Sequence, residues 1–219
     1  RFAVPMIVGD LLQQLYNVVD TLIVGKFVGR DALAAVGSSY TLMTFLTSIL
    51  LGLCMGSGTV FSMYYGAKNN ERLKKSAYTS FIMIAVCAVI LSVIVFAFVD
   101  PIMAFLQVPG EVYQMMRNYL MIIFTGIAAT FLYNFFAFLL RALGNSVVPL
   151  AFLAVSAVMN IVLDLVFVLV FDMGVEGAAI ATVFSQYVSG VGLAVYTLVK
   201  HKELRPGGGI YEKGLLREL

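Results

Sequence analysis

Six stretches of this chain, at 3–25, 33–65, 77–99, 119–140, 147–171 and 175–199, are apolar for long enough to cross a membrane, and each is bounded by charges, prolines or glycines. A hydrocarbon core about 30 Å thick requires roughly 20 residues of helix at about 1.5 Å each. Lipid offers the backbone no hydrogen bonds, so runs of this length fold as helices that satisfy their own N–H and C=O groups. Composition agrees: 61% of the 219 residues are hydrophobic and 12% charged, against roughly 45–50% and 25% in soluble domains. The expected fold is an all-α integral membrane protein with six transmembrane helices. The second run is too long for a simple span and holds Gly52, Gly56 and Gly58, so part of it is expected to bend or to lie in the interface.

Basic loops stay in the cytoplasm, which orients the chain. With the N-terminus inside, the outer loops hold only Lys26, Arg30 and Arg117 of the 14 Lys and Arg residues. Both ends are then cytoplasmic, residues 200–219 form a cytoplasmic connector, and the short loops suit a cell inner (cytoplasmic) membrane. The start at Arg1 and the polar finish LRPGGGIYEKGLLREL both read as cut ends. With no Trp, interfacial anchoring falls to Tyr40, Tyr64, Tyr65, Tyr78, Tyr113, Tyr119 and Tyr196, near the span ends. A net charge of +2 offers nucleic acid no basic field. Cys54 and Cys87 lie in apolar runs, where a structural disulfide is not expected.

Carboxylates inside a bilayer cost several kcal/mol and mark function by default, and three aspartates fall inside the runs: Asp10, Asp20 and Asp164. At about 100° per residue, Asp10, Gln13, Asn17 and Asp20 lie within roughly 80° of one another, a polar stripe on the first helix. Ser156, Asn160 and Asp164 repeat the pattern at i, i+4 spacing on the fifth. Asp20 precedes Lys26 by six positions, Asp164 precedes Asp172 by eight, and Thr182 follows Glu176 by six on a helix running the other way. All three therefore sit about 9 to 12 Å in from the outer helix ends. Two carboxylates, the Asn160 amide and the Thr182 hydroxyl at one level suit a hard cation such as Na⁺, and a close carboxylate pair also takes up a proton. Against this, Ser, Thr and Asn commonly serve as hydrogen-bonding glue between helices, and Asp10 lies near the cytoplasmic end, where water can reach it.

Enzyme chemistry finds no support. The Gly-Ser-Gly at 56–58 resembles an intramembrane serine motif, but the one histidine, His201, lies in the cytoplasmic segment, and no Cys/His metal spacing is present. The G-x-x-x-G of Gly52 and Gly56 is expected to mark close helix packing.

Three segments carry a family resemblance: LLQQLYNVVDTLIVGKFVG at 11–29, RALGNSVVP at 141–149 and MNIVLDLVFVLVFDMGVEGAAIATVFSQ at 159–186. Together they resemble the N-terminal half of multidrug and toxic compound extrusion (MATE) transporters. The resemblance implies one six-helix lobe of a twelve-helix antiporter, a second lobe as partner, and export of small amphipathic or cationic drugs in exchange for Na⁺ or H⁺, with no other cofactor. It also implies cation binding at Asp20, Asn160, Asp164 and Thr182, and Gln13 and Asn134 are similar to polar residues lining the family's lobe cavity; Tyr16, Asn17 and Ser156 are further candidates for cargo or cavity contacts. A flippase for lipid-linked oligosaccharides, from the related superfamily, is the alternative, but it would need basic residues inside the spans and none is there. A structural membrane subunit without transport is the other.

Overall fold

A computed structural model describes residues 3–201 and Leu204, and the regular structure among them is entirely helical. In chain order it comprises α1 (Ala3–Phe27), α2 (Arg30–Gly66), α3 (Asn70–Ala97), the short α4 (Val99–Phe105), α5 (Gly110–Phe124), α6 (Ile127–Ala142), α7 (Val147–Leu165) and α8 (Gly174–Lys200). A π-helical turn, Val166–Val170, extends α7. Most of the connector at 200–219 lies outside the described residues, as does the side chain of Asp10 on α1.

Long apolar runs became long helices. α2, α3, α7 with its π turn, and α8 are each long and apolar enough to cross a bilayer, and α5 with α6 makes a further span broken by a 41° bend. α1 completes the set with 25 residues. It is less apolar than the others because Gln13, Gln14, Asn17 and Asp20 interrupt it, while Ile7, Leu11, Leu15, Val18 and Leu22 form its exposed apolar face. Lys26, Arg117 and Glu176 mark one end of the bundle; Lys68, Arg141 and Lys200 mark the other.

Two expectations are corrected. The fourth span starts at Gly110 rather than near residue 119, and it breaks at Thr125 and Gly126, where the α-helical ladder tightens into Thr125 N–H to Ile122 O and Gly126 N–H to Ile123 O bonds of 3.0 and 2.8 Å. The glycine-rich run belongs to one helix of 37 residues, about 55 Å long, well beyond a hydrocarbon core of about 30 Å. A Cβ on Gly52 or Gly56 would meet nothing within 4 Å, whereas one on Gly58 would meet Phe138 at 3.2 Å. Gly58, rather than the G-x-x-x-G pair, is where α2 closes on α6.

The largest buried cluster joins α2, α3 and α6 through Phe61, Phe81, Phe131, Phe135 and Phe136, whose rings meet mostly edge-on or tilted, and takes in α5 through Met116, Leu120 and Phe124. Cys54 and Cys87 are free thiols. α8 runs through the middle of the lobe, and most of its buried residues are small: Gly177, Ala178, Ala179, Ala181, Ser185, Ser189 and Gly190. In a membrane, where apolar residues gain little by leaving lipid, such small residues let helix backbones approach closely enough to pack. At the Glu176 end α4 is tied to α5, since Asp100 accepts from Arg117 Nε at 2.8 Å and from the Tyr113 hydroxyl at 3.0 Å. Those bonds, Arg117's foremost, hold the Asp100 carboxyl below the usual carboxylate range.

A Cβ on Gly190 would stand 2.8 Å from the Ala129 carbonyl oxygen and 3.3 Å from the Tyr133 nitrogen, both backbone atoms. Gly190→Ala is therefore expected to destabilise the lobe by about 1–3 kcal/mol, the range of overpacking. Gly52→Ala, in open space within a helix, should stabilise by up to about 1 kcal/mol. Thermal unfolding of the two variants in detergent checks the contrast.

Candidate functional site

Where α1 packs on α7, the side chains of Asp20 and Asp164 interact directly with one another. Asp20 is 8% exposed, Asp164 0% and Asn160 2%. One turn along α7, Asn160 Nδ2 donates to Thr182 Oγ1 of α8 at 3.2 Å. A further turn along, Ser156 Oγ donates to the Ser185 carbonyl at 2.9 Å. The two polar patterns read from the sequence thus converge, and α8 supplies the partners of the second.

Local backbone geometry sets this register. Directly after Asp164 the π turn closes with Phe171 N–H to Val166 O at 3.0 Å, and Asp172 and Gly174 take left-handed φ values of 53° and 57° to reverse the chain. Gly177 then lies so close to α7 that a Cβ would meet Met173 at 2.9 Å and Phe167 at 3.0 Å. π turns recur at functional sites because the extra residue re-aims the side chains around it.

The chemistry of the pair follows from what it lacks. Asp20 Oδ1, both carboxylate oxygens of Asp164 and Asn160 Oδ1 are buried with no hydrogen-bond donor among the described residues. All four atoms are acceptors, and two carboxylates cannot both stay charged side by side in a dry site without a positive charge between them. Na⁺, which takes oxygen ligands, or a proton meets that demand. Among the described residues no three His, Cys, Asp or Glu side chains form a metal-binding group, so a metal ion here would rest on two carboxylates and neutral oxygens.

The pair is closed at the Glu176 end. Ile23 and Val24 follow Asp20 by one turn, Val168 follows Asp164 by one turn, and Ala178 and Ala179 precede Thr182 by one; all belong to a single buried apolar cluster. Toward the other end a cavity of about 770 Å³ opens among α1, α2, α5, α6, α7 and α8. Among the described residues Asp20 is the one charged residue lining it and no Lys or Arg takes part, while Asp164 is not part of the lining. The cavity is lined by Gln13, Tyr16, Asn17, Asn134, Ser156, Asn160 and Thr182, each singled out from the sequence, together with Tyr40, Met43, Tyr133 and Gln186. Asn134 is steadied by donating to the Thr130 carbonyl at 2.8 Å.

Tyr119 corrects an expectation. Read as an interfacial anchor, it is only 7% exposed and has Asp20, Asp164 and Tyr16 as its charged and polar neighbours. The fourth span begins nine residues earlier than its apolar run, which places Tyr119 more than two turns inside the bundle. Gln186 and Tyr187 also escaped the sequence reading. The MNIVLDL…ATVFSQ segment ended on Gln186, but nothing in its spacing pointed to the helix break that both residues contact.

The MatE family model matches residues 5–166. Over 89% of this chain, the "Probable multidrug resistance protein YoeA" of Bacillus subtilis (strain 168) is 35% identical, with 43% of that relative covered. "Probable multidrug resistance protein YpnP" of the same organism is 31% identical over 92% of the chain and 45% of the relative. The chain spans about half the length of the curated relatives it matches. A solved structure titled "Crystal structure of MATE in complex with MaD5" superposes with a TM-score of 0.91 over 99% of this chain and 50% of its own, at 24% identity, which speaks to fold alone.

Thr182→Val keeps the side-chain shape but removes the acceptor of the Asn160 amide. The expected cost is about 1–3 kcal/mol, that of a buried donor left unpaired, and Thr182→Ser should recover most of it. Thermal unfolding of the three proteins measures both steps.

Proposed function

The chain belongs to the MatE family, and on that footing we propose that it forms one six-helix lobe of an antiporter that exports organic cations and other amphipathic drugs in exchange for Na⁺ or H⁺. The observation that carries the reading is the buried Asp20–Asp164 pair, short of positive charge, set at the end of a large cavity whose one charged lining residue among those described is Asp20. Four tyrosines, a methionine and several neutral amides make the rest of that cavity suited to flat, apolar cations, through burial and cation–π attraction. The absence of Lys and Arg from its lining among the described residues speaks against an anionic pyrophosphate cargo.

The coupling ion binds at the two acids with Asn160 and Thr182 as neutral oxygen ligands; the cargo binds in the cavity against the Tyr16, Asn17 and Asn134 side. Each ligand shifts the lobe only by the difference between its affinities for two helix arrangements, and exchange results when ion and cargo favour opposite ones. Asp20 meets an arriving cation first because it borders the cavity, and Asp164 behind it holds the second half of the charge. No step involves covalent chemistry, so the role is transport rather than catalysis.

The second lobe belongs against the face where the cavity opens. Gln14, Tyr40, Thr44 and Ser48 are exposed there, a polar surface that lipid would not solvate and that a partner lobe around a watery passage would. The distribution of Lys and Arg puts both ends of the chain in the cytoplasm, and the membrane is the cell's inner one.

Asp20→Asn removes one of the two charges while preserving size. Full-length transporter carrying it is expected to insert normally and to lose gradient-driven export of a cationic dye in proteoliposomes. Imposing Na⁺ and pH gradients separately on the parent names the coupling ion. Dye export by the variant at the parent's rate would refute the mechanism.

A further inference from the structure

The fourth span breaks midway along its length, at Thr125 and Gly126. Backbone groups freed at such a depth have no water to turn to and must be satisfied by the protein. Two consecutive residues of α8 grip this break from opposite sides. From the cavity side Gln186 packs so tightly over Gly126 that a Cβ there would stand 2.7 Å from Gln186 Oε1. On the outer surface the Tyr187 hydroxyl donates to the Thr125 carbonyl at 2.8 Å. The residue before them, Ser185, accepts from Ser156 of α7 at 2.9 Å, one turn from Asn160. One turn after them, Gly190 brings the α8 backbone against Ala129 and Tyr133, just beyond the break.

We propose that Gln186 and Tyr187 are positioning residues that set the bend of the fourth span, and through it the α6 wall of the cavity, so that they determine which organic cations fit. The inference rests on the transport reading above. Beyond the break, α6 presents Thr130, Tyr133 and Asn134 to the cavity. Turning α6 about Gly126 moves these three together relative to Tyr16 and Asn17 on α1. Tyr187 is the latch, because its hydroxyl holds the backbone at the pivot itself. Gln186 is the wedge, because its amide fills the space that Gly126 leaves open on the cavity side. The Ser156 bond to Ser185 ties the same stretch of α8 to the helix that carries Asp164, so the wall and the acid pair are referenced to one element.

Tyr187→Phe tests the proposal, since it removes one oxygen at a position that is 36% exposed and leaves cavity and acids untouched. Two measurements on the full transporter in proteoliposomes are required: amide hydrogen exchange of residues 124–130, and the KM and maximal rate for export of ethidium and of tetraphenylphosphonium. The expected result is exchange at the break faster by about fivefold, the equilibrium factor of one net hydrogen bond. With it, KM should change by a different factor for the flat cation than for the globular one, while maximal rates hold. Faster exchange with both KM values unchanged would reduce Tyr187 to a purely structural brace and overturn the proposal, as would exchange identical to the parent's. A parent that exports neither cation would instead refute the transport reading, and the exchange comparison alone would then decide whether the latch exists.

Discussion

Two like charges forced together out of water are the condition around which this lobe is organised. A single intramembrane carboxylate is already costly, and a facing pair is tolerable only if a positive charge comes and goes between them or one member gives up its charge. Asp20 and Asp164 come from helices far apart in sequence, so α1 and α7 must pack face to face for the pair to exist. The hydrogen-bonded row from α7 to α8, Asn160 to Thr182 and Ser156 to Ser185, fixes the height of one member. The other depends on how α1 lies.

α8 is the element that makes the arrangement possible. Its alanines, serines and glycines admit α5, α6 and α7 to close range, and its polar side chains then do specific things at each contact. Gly177 seats the turn from α7, Thr182 holds Asn160, and Gly190 admits α6. Larger residues on these faces would push α7 and α6 away together, separating the acids from the cavity wall. Packing and site are therefore the same contacts viewed from two sides.

Much of this was legible in the sequence because a membrane leaves few options. Apolar length marked the spans, and polar residues inside those runs had to be either glue or site. Counting from Lys26, Asp172 and Glu176 placed Asp20, Asp164 and Thr182 at one depth, and the structure brings Asp20 to Asp164 and Asn160 to Thr182. Gln13, Tyr16, Asn17, Asn134 and Ser156 all line one cavity. The break at Gly126 and the π turn after Asp164 were not legible, since each is stabilised by residues on another helix: Gln186 and Tyr187 for the first, Gly177 for the second. Tyr119 was hidden by the same cause. Polar residues such as Gln114, Arg117 and Asn118 masked the first turns of its helix, so the span appeared to start where the tyrosine already lay deep. Glycine misled in the other direction, because its spacing at 52 and 56 reports only what a helix permits, and no neighbour among the described residues uses that permission.

The apolar cluster of Ile23, Val24, Val168, Ala178 and Ala179 behind the acids makes the site a cul-de-sac. Whatever small ion reaches Asp164 must come in past Asp20 and leave by the same doorway, and that doorway opens into the chamber where a much larger guest would lodge. On the proposed function, traffic in such a dead end would be sequential: a guest seated over Asp20 would stopper an ion behind it, and the ion would change places with the bulk only while the chamber stood clear.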